Sequence, residues 1–312
     1  MIKPRLFLKV CSLVLIFLIY AVFQVKPLNA AYFADSDYFA GLKLRSIGPA
    51  GMSGRITCVD VVVDNPRIMY VGAATGGIWK SVDGGVTWKP IFDKQNTSSI
   101  GDITLNPVNP EIVWAGTGEA NPRNSAGVGR GVFKSLNGGE SWEFLGLEET
   151  ERISRVLIDP YHPETVFVAA MGKTWGENPE RGVFKTTDGG KTWKKVLYVD
   201  EKTGAADLAM DPSNPNRLLA AMWEHRRWPW FFRSGGPGSG LYLSTDSGET
   251  WKKFSHKQGL PKGELGRIGI AFSRSRPEIV YALVEAEKSA LCRSKDSYTR
   301  VAIVEFYFAC HR

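Results

Sequence analysis

Hydrophobic and polar positions alternate in short runs from residue 55 onward, and none of the runs shows the period of an amphipathic helix. The first run of each group ends at a turn with proline, as in Val61-Val62-Val63-Asp64-Asn65-Pro66. A large apolar residue then marks a second run, and these markers are Tyr70, Trp114, Phe167, Leu219 and Tyr281. A third run follows, for example Gly77-Ile78-Trp79. Period-two alternation bounded by turn residues predicts β-strands, so we expect an all-β chain of repeated four-stranded antiparallel units.

An eight-residue segment, here called the octet, follows the third strand of four units. It is Ser81-Val82-Asp83-Gly84-Gly85-Val86-Thr87-Trp88 in the first unit and recurs at 135–142, 186–193 and 244–251. Its glycines suit a tight turn with positive φ, and its Asp can accept hydrogen bonds from the N–H groups of the turn. Asn137 replaces the Asp in the second unit, which keeps an acceptor oxygen without the charge. We therefore interpret the octets as structural, and their key residues are Asp83, Trp88, Asn137, Trp142, Asp188, Trp193, Asp246 and Trp251.

The octets resemble the Asp-box, or BNR, repeats of β-propellers. The segments Arg45-Ser46-Ile47-Gly48-Pro49 and Ser53-Gly54-Arg55, with the Asp-Pro-x-x-Pro turns, look most similar to sortilin-like propellers of secreted bacterial proteins. Proteins of that type are often labelled glycosyl hydrolases by similarity. The resemblance implies a β-propeller of four-stranded blades over residues 55–296, with about five blades present and the fifth degenerate.

The two ends of the chain differ from the repeats. Residues 1–30 combine basic residues with an apolar block from Val10 to Phe23, which is typical of a secretory signal peptide; an uncleaved anchor is the alternative. Residues 31–54 form a lead-in, and we expect its alternating segment 42–47 to complete the last blade as a closing strand. The fifth octet fails after Asp296, which leaves 297–312 as an atypical tail. Propellers of this type normally have about six or more blades, so we expect missing blades or a further domain, as in a truncated gene product.

Composition narrows the possible partners and the location. The chain has 39 basic and 32 acidic residues, and removal of the signal leaves an excess of about three positive charges without a basic cluster. Nucleic acid is therefore not an expected partner. The four cysteines do not form a disulfide framework, and no metal or cofactor motif is present. We expect a protein that is secreted, periplasmic or extracellular, without stable membrane insertion after signal cleavage.

Candidate binding residues lie in the long connections between the second and third strands of units two, three and four. Long loops on one face of a rigid scaffold are common sites of recognition. Aromatic side chains with Arg and Asn suit a carbohydrate or a peptide or protein ligand. Alternatively, the aromatic residues are buried to fix a long loop, or pack on a neighbouring domain. The candidate ligand-binding residues are Asn121, Arg123, Trp175, Arg226, Arg227, Trp228 and Trp230.

A second polar set occupies one repeated position in the first strands: Asp60, Asp102, Arg155 and Asp207. In a propeller the first strands surround the central channel. These residues are therefore predicted to form either a polar channel floor that holds a ligand or an ion, or an ion-paired or solvated channel lining.

Enzymatic function requires more than the scaffold. Glycosidases use two carboxyl groups, and the candidates here are Glu119, Glu177 and Glu224. The resemblance to two-propeller xyloglucanases places Ala74 where their first catalytic Asp stands, and their second carboxylate comes from the other propeller. Sialidases built from the same repeat use an arginine triad. Arg55, Arg155 and Arg267 are candidates for such a triad, but no sequence motif identifies them.

We therefore expect a secreted binding or interaction propeller for peptide or carbohydrate. The first alternative is a xyloglucanase-like or sialidase-like glycoside hydrolase, or an inactive remnant of one. A further alternative is an assembly factor for a membrane complex, as known for some Asp-box propellers.

Overall fold

The computed structural model describes residues 54–294 and the backbone of a strand at 301–307. The predicted signal peptide at 1–30 and the lead-in strand at 42–47 lie outside these residues. Within the described part of the chain, no helix has the length and apolar character needed to cross a membrane.

The described residues form five antiparallel sheets, each built from consecutive strands. The first sheet contains β1 (Ile56–Val61), β2 (Met69–Ala73), β3 (Ile78–Ser81) and β4 (Lys89–Pro90). The second contains β5 (Ile100–Leu105), β6 (Val113–Thr117), β7 (Val132–Ser135) and β8 (Glu143–Phe144). The third contains β9 (Ile153–Ile158), β10 (Val166–Ala170), β11 (Gly182–Thr186) and β12 (Lys194–Leu197).

The remaining two sheets contain the longest strands. The fourth sheet has β13 (Thr203–Asp211), β14 (Asn214–Trp228), β16 (Gly240–Ser244) and β17 (Lys252–Lys253), and β15 (Phe231–Ser234) pairs with β14. The fifth has β18 (Leu265–Phe272), β19 (Val280–Ala286), β20 (Ser289–Ser294) and β21 (Val301–Tyr307). The predicted all-β fold with five four-stranded units is confirmed.

The sheets are arranged one after another around their first strands. Strand β1 contacts β5, β5 contacts β9, β9 contacts β13, and β13 contacts β18. Apolar clusters fill the space between neighbouring sheets, as where Tyr70 and Ile78 of the first sheet pack with Ile103 and Val113 of the second. Burial of these alternating apolar residues between adjacent faces is the main stabilising contribution.

Strand register places the octets and the long connections at opposite ends of each sheet. In the first sheet Met69 lies opposite Ser81, where the octet begins, and Gly72 lies opposite Ile78. The connection from β2 to β3 is therefore at the far end from the octet. The same order holds in the second sheet, where Val113 pairs with Ser135 and Gly116 with Val132. We call the end with the β2–β3 type connections the loop face.

Each octet is a self-contained hydrogen-bonded turn. In the first, Asp83 Oδ1 accepts from the Thr87 N–H at 2.9 Å, and the Thr87 hydroxyl donates to Oδ2 at 2.5 Å. These hydrogen bonds lower the pKa of Asp83 to about 2. In the second octet Asn137 Oδ1 accepts from the Ser141 N–H at 2.9 Å, and its amide donates to the Ser141 hydroxyl. The amide therefore replaces the carboxylate in the turn, which confirms the structural interpretation of the octet.

The octets also join neighbouring sheets. Lys80 of β3 and Tyr70 of β2 both donate to the Gly138 carbonyl in the octet of the next sheet, at 2.9 and 3.2 Å. Lys185 likewise donates to the Ser247 carbonyl at 2.8 Å. In the opposite direction, Trp142 Nε1 donates to the Ile91 carbonyl of the preceding sheet at 2.8 Å. The second, third and fourth octets are thus each hydrogen-bonded to the preceding sheet.

Two regions differ from the sequence expectation. The stretch around 223–233, predicted as a loop, is a β-hairpin in which β14 continues to Trp228 and β15 returns, with Trp228 opposite Phe231. Strand β21 pairs with β20 and lies beyond the boundary at residue 296 that the repeats indicated. Both extensions occur because an antiparallel neighbour supplies a hydrogen-bonding edge, a condition that octet spacing does not encode.

The second glycine of the octet tests this junction. At Gly190, which has φ +98°, an added Cβ would lie 2.6 Å from Leu145 and 3.0 Å from Trp114 of the preceding sheet. Gly85 has the same place in the first octet and φ +89°, but its nearest neighbours are 3.5 Å away. We expect Gly190→Ala to lower the free energy of unfolding by about 1–3 kcal/mol more than Gly85→Ala does, since only the former adds a clash to backbone strain. Urea denaturation of both variants measures this difference, and equal losses would contradict the junction.

Candidate functional site

A groove on the loop face lies between the connections of the second and fourth sheets and the fifth sheet. It has a volume of about 750 Å³. Four predicted binding residues line it, namely Asn121, Arg123, Arg227 and Trp230. The structure adds Pro122, Trp223, Phe231, Phe232, Ser234, Arg267 and Glu285. We call this the loop-face groove.

The β14–β15 hairpin forms one wall of the loop-face groove. Arg227 anchors it, because Nε donates to the Pro122 carbonyl at 2.5 Å and Nη1 donates to Asn124 Oδ1 at 2.8 Å. The Arg227 N–H also donates to the Thr174 carbonyl at 2.8 Å, which ties the hairpin to the third sheet. At the hairpin tip Trp230 is 84% exposed. A rigid hairpin thus holds a large aromatic face in solvent.

The opposite wall is formed by the fifth sheet. Arg267 of β18 donates from Nη1 to Asn121 Oδ1 at 2.9 Å, which joins the fifth sheet to the connection of the second sheet. Its guanidinium carbon lies 5.4 Å from the ring centre of Trp223. Trp223 is buried and donates from Nε1 to the Ser234 hydroxyl at 3.1 Å. Hydrogen bonds and ring contacts therefore connect the residues at the floor of the groove.

Glu285 is the only carboxylate among the described residues that line the loop-face groove. Its Oε2 accepts from the Ser234 hydroxyl at 2.6 Å and from the Arg267 N–H at 2.9 Å. These bonds fix the carboxylate at the junction of the fourth and fifth sheets.

Three other predicted residues, Arg226, Trp228 and Trp175, do not line the loop-face groove. The Arg226 guanidinium lies 4.7 Å from the ring centre of Trp228, and its Nη1 is 3.7 Å from Glu177 Oε1. Trp175 is 43% exposed. Glu177 does not line the groove either. Trp228 also packs against Phe231, with ring centres 5.8 Å apart, so its ring supports the hairpin.

The other two candidate carboxylates are buried and paired. Glu119 has no exposed surface, and its Oε1 accepts from Arg55 Nε at 2.8 Å while Oε2 accepts from Nη2. This bidentate bond raises the pKa of Arg55. Glu224 is also buried, and it accepts from the Gly238 N–H and lies 3.5 Å from Arg233 Nη2. Ala74, the position matched to a xyloglucanase Asp, is a buried alanine.

Three of the four predicted channel residues line a cavity between the first strands, and Asp60 does not. This cavity of about 140 Å³ is lined by first-strand residues of all five described sheets, including Asp102, Arg155 and Asp207. Arg155 donates from Nε and Nη2 to Asp207 Oδ1, at 3.0 and 2.8 Å, and its Nη1 lies 3.8 Å from Asp102 Oδ1. Gly269 of β18 occupies the repeated position in the fifth sheet, where an added Cβ would meet nothing within 4 Å.

The channel aspartates also link neighbouring first strands. Asp60, Asp102 and Asp207 each accept a backbone N–H of the next sheet, from Leu105, Val156 and Ile270 respectively, at 2.7 to 2.9 Å. Burial raises the pKa of Asp60, and it raises the pKa of Asp102 to about 7 against the attraction of Arg155. These contacts match the predicted ion-paired channel lining. In each carboxylate, both oxygens have a partner in the protein.

No cluster of three or more His, Cys, Asp or Glu side chains suited to a metal ion occurs within the part of the chain that the structure describes. Cys58 and Cys292 are free thiols, and burial raises their pKa values to about 12 and about 11.

Sequence reasoning missed the residues that the fifth sheet contributes to the groove. The sequence suggests Arg267 only as part of a sialidase-like triad, and the other two arginines of that triad, Arg55 and Arg155, instead pair with Glu119 and the channel aspartates. A usable signal was present, since Glu285 follows the second-strand marker Tyr281 by four residues, as Trp223 follows Leu219. That spacing places both at the loop-face end of their strands.

The sheets, octets and central cavity define the chain as a β-propeller built from Asp-box repeats. Residues 130–259 match the family model Sortilin-Vps10, described as sortilin, neurotensin receptor 3. This match covers fewer than half of the residues, and it shows that the repeats are similar to those of the sortilin family, as the sequence predicted. The chain is also similar to xyloglucanases. It is 27% identical to that of Hypocrea jecorina over 72% of this chain and 29% of the enzyme. It is 25% identical to that of a Paenibacillus species over 67% of this chain and 22% of the enzyme.

Solved structures show the same fold. A GH74 enzyme from Niastella koreensis has a TM-score of 0.59 and 20% identity, over 80% of this chain and 38% of the enzyme. YCF48 from Cyanidioschyzon merolae has a TM-score of 0.51 and 13% identity, over 83% of this chain and 73% of that protein. The chain spans less than one third of the length of the two xyloglucanases above.

The channel carboxylate predicts a pH dependence of stability. Burial raises the pKa of Asp102 from 3.8 to about 7. Between pH 3.8 and about pH 7, therefore, Asp102 is protonated in the folded state and ionised in the unfolded state. The free energy of unfolding should therefore fall as pH rises through this window, by at most roughly 1.4 kcal/mol per pH unit. Asp102→Asn keeps an oxygen for the Val156 N–H and should remove this contribution to the slope.

Urea denaturation at pH 4.5 and pH 7.5 measures the slope. Asp83→Asn is a suitable control, because hydrogen bonding lowers the pKa of Asp83 to about 2 and its contribution changes only at more acidic pH. An unchanged slope in Asp102→Asn would show that this carboxyl is ionised throughout the window.

Proposed function

We propose that this protein is a secreted propeller that binds a glycan in the loop-face groove without hydrolysing it. The observation that carries the proposal is the groove itself, in which the exposed ring of Trp230 stands beside anchored Arg, Asn and Glu side chains. Sugar rings stack on aromatic faces, and their hydroxyl groups form hydrogen bonds with such polar groups. The similarity to xyloglucanases supports a carbohydrate over other ligands.

The state of the carboxylates supports binding without hydrolysis. A glycosidase needs two carboxyl groups on either side of the scissile bond. Glu119 and Glu224 are buried and paired, Glu177 lies outside the groove beside Arg226, and Ala74 has no carboxylate. Glu285 alone cannot supply both the acid and the base or nucleophile.

Three alternative functions would use the same surface differently. A peptide or protein ligand would also use the Trp and Arg side chains, which dominate many protein interfaces. A xyloglucanase would need a second carboxylate from residues beyond those that the structure describes. An assembly factor for a membrane complex would bind protein and show no affinity for glycans.

Replacement of Trp230 by Ala is expected to weaken glycan binding roughly ten-fold, which corresponds to about 1.4 kcal/mol. The reason is loss of the exposed stacking face at the hairpin tip. Isothermal titration calorimetry of the full chain with oligosaccharides from xyloglucan and galacturonan measures the effect, and a reducing-sugar assay on the same samples tests for hydrolysis.

Trp175→Ala provides a matched control, because Trp175 is an exposed tryptophan on the same face that does not line the groove. Equal losses in both variants would argue against the groove as the binding site. Release of reducing sugar by the wild-type protein would refute the absence of hydrolysis, and lack of affinity for every oligosaccharide would refute glycan binding.

A further inference from the structure

The arginines of the loop-face groove differ from most other arginines at this end of the sheets. Arg181 also lacks a carboxylate partner, but it is buried and donates to backbone carbonyls. Five arginines there pair with a carboxylate within 4 Å: Arg55 with Glu119, Arg130 with Glu148, Arg152 with Glu151, Arg226 with Glu177 and Arg233 with Glu224. The three in the groove, Arg123, Arg227 and Arg267, have no such partner among the described residues. Their charges are therefore not paired by direct contact, although the nearby carboxylates of Asp207 and Glu285 attract that of Arg267.

The neutral partners of these arginines hold their positions without cancelling their charge. Arg227 donates to a backbone carbonyl and to an amide oxygen, and Arg267 donates to the amide oxygen of Asn121. Both guanidinium groups also lie near aromatic rings, with Arg227 4.6 Å from the ring centre of Phe232. Stacking of this kind orients the guanidinium plane, and its remaining N–H groups stay available to a ligand.

Arg123 has the greatest freedom of the three. It is exposed, it lines the groove, and no side-chain contact to another described residue occupies it. The single acid of the groove, Glu285, is engaged by the Ser234 hydroxyl and the Arg267 N–H. Three guanidinium groups and one engaged carboxylate give the lining a net positive charge, whereas a neutral glycan would need no such excess.

We propose that the loop-face groove selects a glycan whose sugar residues carry negative charge, such as a hexuronic acid, with Arg123 and Arg267 facing the anionic groups and Trp230 stacking on a ring. This inference rests on the proposed glycan-binding function and adds the class of glycan. Charge-assisted hydrogen bonds from guanidinium to carboxylate are about twice as strong as neutral ones, and Arg can make two of them to one carboxylate.

The test compares ligands that differ only in charge. The full chain is titrated with oligogalacturonate and with its methyl ester, which keeps the sugar ring and removes the carboxylate charge. We expect oligogalacturonate to bind about ten-fold or more tightly than the ester in 0.15 M salt, and the difference to shrink as salt rises. A sulfated oligosaccharide, as a third ligand, distinguishes recognition of a carboxylate from recognition of any anion.

Arg123→Gln supplies the protein side of the test. It should lose about ten-fold in affinity for oligogalacturonate with little change for the ester. Arg130→Gln is the matched control, since Arg130 lies in the same connection between β6 and β7, is exposed and pairs with Glu148 at 2.6 Å, outside the groove. Neither side chain is buried, so we expect both variants to fold, and circular dichroism checks this.

The outcomes separate this inference from the proposed function. Equal affinity for acid and ester, or equal effects of Arg123→Gln and Arg130→Gln, would overturn the selection of charged sugars and leave glycan binding intact. Tighter binding of an oligoglutamate peptide than of oligogalacturonate would overturn the inference in favour of an acidic protein partner. Failure to bind any of the sugars would overturn both the inference and the proposed function.

Discussion

Apolar burial holds neighbouring sheets together, and the contact that repeats at the first three junctions is a hydrogen bond from one sheet to the octet of the next. A lysine near the end of the third strand lies over the aromatic marker of the second strand and donates to an octet carbonyl of the following sheet. Lys80, Lys134 and Lys185 repeat this arrangement over Tyr70, Trp114 and Phe167, with ring-centre distances of 4.9 to 5.6 Å. Each buried turn carbonyl thereby obtains a donor, which a turn pressed against an apolar face would otherwise lack.

The junction between the fourth and fifth sheets lacks this lysine. The fourth sheet has Leu243 where the first three have lysine, and the octet that should follow in the fifth unit is the one that fails after Asp296. Where the acceptor turn is lost from the sequence, the donor is lost as well. The repeats therefore agree with each other across the junctions between sheets as well as within each sheet, which is expected when local and tertiary preferences support one structure.

Antiparallel pairing places the octets at one end of the sheets and the long connections at the other. Octets occupy one end of the sheets, where they are short and fixed by contacts with neighbours. The other end is free to carry insertions, and the connections of the second, third and fourth sheets use that freedom. Arg227 shows how the insertions are made rigid, because it joins the fourth-sheet hairpin to the connections of the second and third sheets. A groove with fixed walls loses less conformational entropy when a ligand binds.

The sequence by itself determined the strands, the octet turns and the sheet count, because these depend on short-range alternation and on glycine and Asp or Asn at fixed positions. It also identified Asn121, Arg123, Arg227 and Trp230 as residues of one face, since they lie in insertions of the same kind. Only the tertiary structure decided that Glu119 is neutralised by Arg55 and that Arg267 and Glu285 complete the groove. Those relations join residues from different sheets, and ion pairing and burial across such distances leave no periodic trace in the chain.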